Sequence, residues 1–108
     1  MKRLLIPLIA VFVLALPASS QAATVGITIK STAFSPKSVT INFGDTVKWT
    51  NGDKVDHQIV ANKGSFASGI LKPGQSYSFT FNAAGAYPYH DALHPSIAGA
   101  VYVKGPPR

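Results

Sequence analysis

A chain of 108 residues with ten Lys and Arg, four Asp, no Glu and no Cys has room for one small domain. The missing thiols exclude a disulfide framework, an iron–sulfur cluster and a cysteine nucleophile. The formal charge of +6 is scattered rather than clustered, without the aromatic interleaving of a nucleic-acid surface. No nucleic-acid partner is therefore expected; the charge first of all solubilises the chain, and otherwise favours acidic partners or anionic membrane surfaces through steering more than through affinity.

The first elements concern export. Met1-Lys2-Arg3 is basic, Leu4 to Leu16 is almost wholly apolar, and Pro17-Ala18-Ser19-Ser20-Gln21-Ala22 is rich in small residues. This order is that of a secretory signal peptide over residues 1–22, with cleavage between Ala22 and Ala23 and with Ser20 and Ala22 at the two small-residue positions. The apolar run is short for a bilayer span. The expectation is a periplasmic or secreted protein with no membrane span after cleavage. A single domain then covers residues 23–104, with a C-terminal tail at 105–108, and is expected to be a monomer.

Beyond residue 22 the hydrophobic pattern has period two rather than 3.6. Val25, Ile27 and Ile29 fall on one face of the first run. Phe34-Ser35-Pro36 reads as a break, after which Ser38 to Phe43 alternates again. Gly44-Asp45 is a turn signal, and Val47 and Trp49 point inward from the next run. A second turn at Asn51-Gly52-Asp53 leads to a strand expected to begin at His57. Residues 62–72 are irregular and end on the turn Lys72-Pro73-Gly74-Gln75. Tyr77, Phe79 and Phe81 share a face of the following run. An extended segment through Ala86 to His90 and a last strand from Ala98 to Lys104 complete the pattern. Six to eight short strands with Gly, Pro and Asn punctuation predict an all-β antiparallel sandwich or barrel.

The ligand-type residues gather near the end of the chain. His90, Asp91 and His94 lie within five residues, and His57 lies far upstream. A two-residue gap between Asp91 and His94, stiffened by Pro95, lets both side chains converge on one ion from a loop between strands. His57, at the entry to its own strand, can reach the same end of a sandwich. His90 and Asp91 are consecutive in an extended segment, so their side chains leave opposite faces. The expected metal ligands are thus His57, Asp91 and His94, with His90 a surface residue. On spacing alone, incidental histidines remain an equal alternative.

The residues also resemble the cupredoxin family, in particular its small plastocyanin- and amicyanin-like members, over nearly all of 23–104. The similarity runs through Phe34-Ser35-Pro36-Lys37-Ser38-Val39-Thr40-Ile41 and Gly44-Asp45-Thr46-Val47-Lys48-Trp49-Thr50-Asn51. It continues through His57 at the first ligand position and a Leu-x-Pro-Gly turn at Leu71-Lys72-Pro73-Gly74. The family's loop Tyr-x-Tyr-x-Cys-x-x-His-Pro-x-Met-x-Gly is similar to Tyr87-Pro88-Tyr89-His90-Asp91-Ala92-Leu93-His94-Pro95-Ser96-Ile97-Ala98-Gly99.

By this resemblance the fold is an antiparallel Greek-key β-sandwich, Asp91 stands at the ligand cysteine and Ile97 at the axial methionine, while both histidines are kept. A hard oxygen replaces the soft thiolate, and Ile97 occupies the axial position without ligating. Gln58 after the first histidine and Ala92 after Asp91 also alter the contacts around that position. The implied cofactor is one copper ion in a non-blue site, with zinc or iron as alternatives. The implied function is one-electron transfer with a redox protein partner, or copper capture and delivery with a copper-exchange partner. An iron enzyme built on two histidines and a carboxylate, and a metal-free structural sandwich, complete the alternatives; no enzymatic activity is expected.

Overall fold

The structure, a computed structural model, describes residues 21–106. The expected signal peptide lies outside the described residues except for its last two, as do the last two residues of the tail. Eight strands form from the alternating runs: β1 (Thr24–Lys30), β2 (Ala33–Ser35), β3 (Ser38–Asn42), β4 (Thr46–Asn51), β5 (Ile59–Ala61), β6 (Ser76–Thr80), β7 (Gly85–Asp91) and β8 (Ala98–Lys104). Among the described residues there is no helix.

The strands build two four-stranded sheets, ordered β2-β1-β4-β6 and β3-β8-β7-β5. The expected sandwich is present, and its sheets are mixed rather than wholly antiparallel. β1 runs parallel to β4, with Ile27 opposite Trp49, and β3 runs parallel to β8, with Val39 opposite Val101. A two-residue turn joins the antiparallel neighbours β1 and β2. β1 and β4, like β3 and β8, are separated by chain that passes through the opposite sheet, and that passage allows a parallel return.

The expected break at Phe34 supplies a strand, because Phe34 is buried and pairs with Ile29 across a short hairpin. The strand expected to start at His57 begins at Ile59. His57 instead forms an isolated bridge with Leu71, so a loop rather than a ladder holds the histidine.

The inward faces match the period-two pattern. Ile27, Ile29, Val47, Trp49, Ile59, Phe81, Tyr89 and Val101 are buried, with Val25, Tyr77 and Phe79 packed partly against them. Trp49 is the hub: it stacks on Phe66 at 5.4 Å and Tyr77 at 5.8 Å and meets Tyr89 edge-on at 5.3 Å. These aromatic contacts tie the β4–β6 side to β7 across the interior, and each adds roughly 0.5–1.5 kcal/mol beyond the area it buries. Without disulfides, this packed interior is what can make a domain of this size stable. It also fixes β7, whose last residue is Asp91.

Candidate metal centre

Three separate pieces of chain meet at one end of the sandwich. β7 delivers Asp91 opposite Ile59 of β5. The turn from Asp91 to Ile97 delivers His94: its amide lies 3.2 Å from the Asp91 carbonyl, and the Ile97 amide donates to the His94 carbonyl at 2.9 Å. The Asp91 amide donates to the Ile97 carbonyl at 2.9 Å, closing the loop at the point where β8 begins. The third piece carries His57, whose amide and carbonyl both bond Leu71, at 3.0 and 2.7 Å.

Asn51 organises that third piece. It is buried; its Nδ2 donates to the Val55 and Leu71 carbonyls, both at 2.8 Å, and its Oδ1 accepts from the Asp53 amide at 2.9 Å. One side chain thereby shapes the loop from 51 to 57 and ties it to the segment before the Leu71-Lys72-Pro73-Gly74 turn. A buried amide with all these bonds satisfied specifies one loop conformation rather than several.

Within this frame, His57, Asp91 and His94 each offer a donor atom, and the three atoms lie within 4.8 Å of one another. Asp91 is fully buried. Its Oδ1 faces three backbone amides, those of Gln58 at 3.1 Å, Leu93 at 2.9 Å and His94 at 3.3 Å. Its Oδ2 touches Nδ1 of His57, which is itself buried. One carboxylate oxygen is thus held by the protein backbone, and the other is turned toward the histidines.

The remaining nitrogens are also committed. His57 Nε2 lies 2.9 Å from Asp53 Oδ2, and His94 Nε2 lies 3.3 Å from the Asp56 carbonyl. With both Nε2–H groups donating outward, Nδ1 of each ring is the nitrogen left for the centre. Burial lowers the His57 pKa, while hydrogen bonds to Asp53 and Asp91 raise it, and the net change is upward. The His57 hydrogen bond, followed by the Lys54 amide, holds the Asp53 carboxyl below its usual range.

The donor set fits a mononuclear ion. Bonds of about 2.0–2.2 Å to nitrogen and carboxylate oxygen put neighbouring ligand atoms roughly 3–4 Å apart, so the widest pair of the trio would close by about 1 Å or less while the hydrogen-bonded His57–Asp91 pair would open to admit the ion. A metal would also take the place of the proton shared between His57 and Asp91. The rings of His57 and His94 approach with centroids 4.9 Å apart. His57 and Asp91 are buried while His94 is exposed, so the centre has one solvent-facing edge.

Ile97 is buried beside this loop and brings no donor atom. His90 leaves β7 on the other face and bonds Asn62, Nδ1 to Oδ1 at 2.6 Å. Asn51 and Asp53, which the sequence marks only as turn residues, and the Asp56 carbonyl also shape the centre. The signal for Asp53 was present as a carboxylate four residues before His57, within a run of turn residues.

Residues 4–103 match the family model of the cupredoxin-like domain. The chain belongs to the cupredoxin-like family. Among its relatives is amicyanin of Paracoccus versutus, 38% identical over 71 residues that make up 61% of this chain and 54% of that protein. The chain spans about half the length of the amicyanins of Paracoccus versutus and Paracoccus denitrificans that it matches. Chloroplastic plastocyanin of Tetradesmus obliquus is 34% identical over 97 residues, 80% of this chain and 67% of that one. A purple cupredoxin from Nitrosopumilus maritimus superposes with a TM-score of 0.70 at 31% identity, covering 74% of this chain and 99% of the other.

Proposed function

We propose that this cupredoxin is exported and holds one copper ion through His57, Asp91 and His94 in a non-blue centre, serving as a one-electron carrier. The observation that carries the proposal is the convergence of three donor atoms from three chain segments at a spacing that fits one ion. Copper bound there would supply a Cu(I)/Cu(II) couple. The chain's own part is to fix the donors: backbone amides hold Asp91, Asp53 orients the His57 ring, and the Asp56 carbonyl orients His94. A frame this committed resists the geometric change that accompanies a change of oxidation state.

His94 is the exposed member, so partner access is assigned to its edge. Val55, Ile70 and Leu93, each 42–53% exposed, lie two residues before His57, one before Leu71 and one before His94. Exposed apolar side chains next to the site's residues in sequence suit brief docking of a redox protein, and the positive net charge favours an acidic one.

A second reading is copper capture or delivery without a redox role. Asp91 Oδ2 favours it, since a carboxylate suits Cu(II) better than Cu(I) and draws the potential down. Metal analysis, electron paramagnetic resonance and voltammetry on the exported protein test both. One copper per chain with a reversible couple supports the carrier, and copper without a usable couple supports delivery. Iron in place of copper, or no bound metal, would overturn both. Asp91→Cys with Ile97→Met should create the intense thiolate-type colour that the cysteine-free wild type lacks.

A further inference from the structure

The four aspartates of this chain divide unequally. Asp53 and Asp91 pair with His57, and Asp56 lies 3.7 Å from Lys72 Nζ. Asp45 is the exception: among the described residues no Lys, Arg or His nitrogen comes within 4 Å of its carboxylate. It is nevertheless 7% exposed. Its two oxygens accept backbone amides, Oδ1 from Ala23 at 2.9 Å and Oδ2 from Asn42 at 3.0 Å. A buried carboxylate normally has a cation as well.

The position of Ala23 supplies one. It directly follows the Ser20-Gln21-Ala22 run that has the small-residue spacing of an export cleavage site. We infer that Asp45 is the receptor for the α-ammonium group released when a signal-type peptidase hydrolyses the Ala22–Ala23 bond. Water adds across that amide, Ala22 leaves with the new carboxylate, and Ala23 keeps the nitrogen as an ammonium group 2.9 Å from Asp45 Oδ1. A neutral amide donor becomes a charged one at the same place, so the hydrogen bond to the carboxylate gains the Coulomb attraction of an ion pair.

The surroundings hold that nitrogen in place. The Thr46 amide donates to the Ala23 carbonyl at 2.9 Å, the Asp45 amide donates to the Asn42 carbonyl at 3.0 Å, and the Phe81 amide donates to the Asp45 carbonyl at 2.9 Å. β1 begins at the next residue, Thr24, opposite Thr46. The new terminus is therefore stapled to the start of β4, and processing and folding become linked. The precursor leaves Asp45 without its cation, and the cleaved chain completes the pair.

The sign of the pH effect follows. A paired α-ammonium has a raised pKa, so its contribution is full below the ordinary α-amino value of about 8 and is lost as pH rises through the folded value. Titratable residues near this corner by sequence and register are Lys48 on β4, three residues after Asp45, and Lys104 on β8, the cross-strand partner of Asn42. Neither reaches the Asp45 carboxylate, so their titration adds a background common to wild type and an Asp45 variant.

The test uses protein exported by its own route. Intact mass should place the N-terminus at Ala23, and an NMR titration of its α-amine should give a midpoint above about 8. Asp45→Asn should lower the melting temperature by roughly 5 °C at pH 7, and that gap should shrink by at least half at pH 10. A mature terminus elsewhere, an α-amine midpoint at or below the ordinary value, or a gap independent of pH would each overturn the inference. Should Asp45→Asn fail to fold, the α-amine midpoint of the wild-type protein decides alone.

Discussion

Asp45 and Asp91 are buried carboxylates at opposite ends of the same sandwich. Asp45 sits where β4 begins and β3 ends, beside the Lys104 end of β8, while Asp91 closes β7 at the Ala98 end of β8. Each gathers backbone amides from more than one segment. Asp45 takes one on each oxygen and touches no histidine. Asp91 puts three amides on one oxygen and reserves the other for His57. The difference separates two uses of one residue type. Both acids splice loops, but only Asp91 keeps an oxygen directed at a second ligand-type side chain, and only that end has His94 at the surface.

The sharpest way to break the contrast is Asp91→Ala. It leaves buried His57 without one of its two carboxylates and strands the amides of Gln58, Leu93 and His94. The expected cost is about 3 kcal/mol of unfolding free energy in the metal-free protein, in the range for breaking a buried pair. Urea unfolding measures it, and a loss below about 1 kcal/mol would show that this end of the molecule does not depend on Asp91. His94→Ala should behave in the opposite sense, because His94 is exposed. Its metal-free stability should stay within about 0.5 kcal/mol of wild type. Copper affinity by calorimetry should fall by more than about 100-fold, beyond what an outer partner contributes. Retained affinity would remove His94 from the centre.

Much of this arrangement was legible in the sequence, for a definable reason. Period-two alternation placed Val47, Trp49, Phe79, Phe81 and the other core residues on the correct faces, since a strand that buries one side leaves no other assignment open. The same rule put His90 and Asp91 on opposite sides of β7. What escaped was non-local or hidden in loops. Nothing in the residue order reveals the parallel pairings β1–β4 and β3–β8, which depend on how the chain passes between sheets. Asp53 was hidden because turns use aspartate routinely, so its role appears only once the loop held by Asn51 turns it back toward His57. The bridge from His57 to Leu71 was missed because a single ladder contact leaves no periodic trace.

Asp53 gives the next, smaller test. Asp53→Asn preserves the shape of the loop but weakens the acceptor for His57 Nε2–H. Loss of such an outer partner lowers metal affinity by about 10- to 100-fold, with little change in core stability. An unchanged affinity would mean that the Leu71 bridge alone orients the ring.

The smallest expected effect lies at the other end and concerns acid. The Ala23 amide first, and the Asn42 amide second, hold the Asp45 carboxyl below its ordinary value of 3.8, while burial pushes the other way. A lowered carboxyl pKa contributes stability that is fully present above 3.8 and is lost as pH falls through the folded value. Wild type and Asp45→Asn should therefore differ in urea midpoint at neutral pH and converge below about pH 3. The same pair followed upward reports on the α-ammonium of Ala23, so the acid and alkaline limbs separate the carboxylate from its cation. If the gap survives unchanged at low pH, the splice at Asp45 is one of shape rather than charge, and the likeness between the two buried aspartates would end with their backbone contacts.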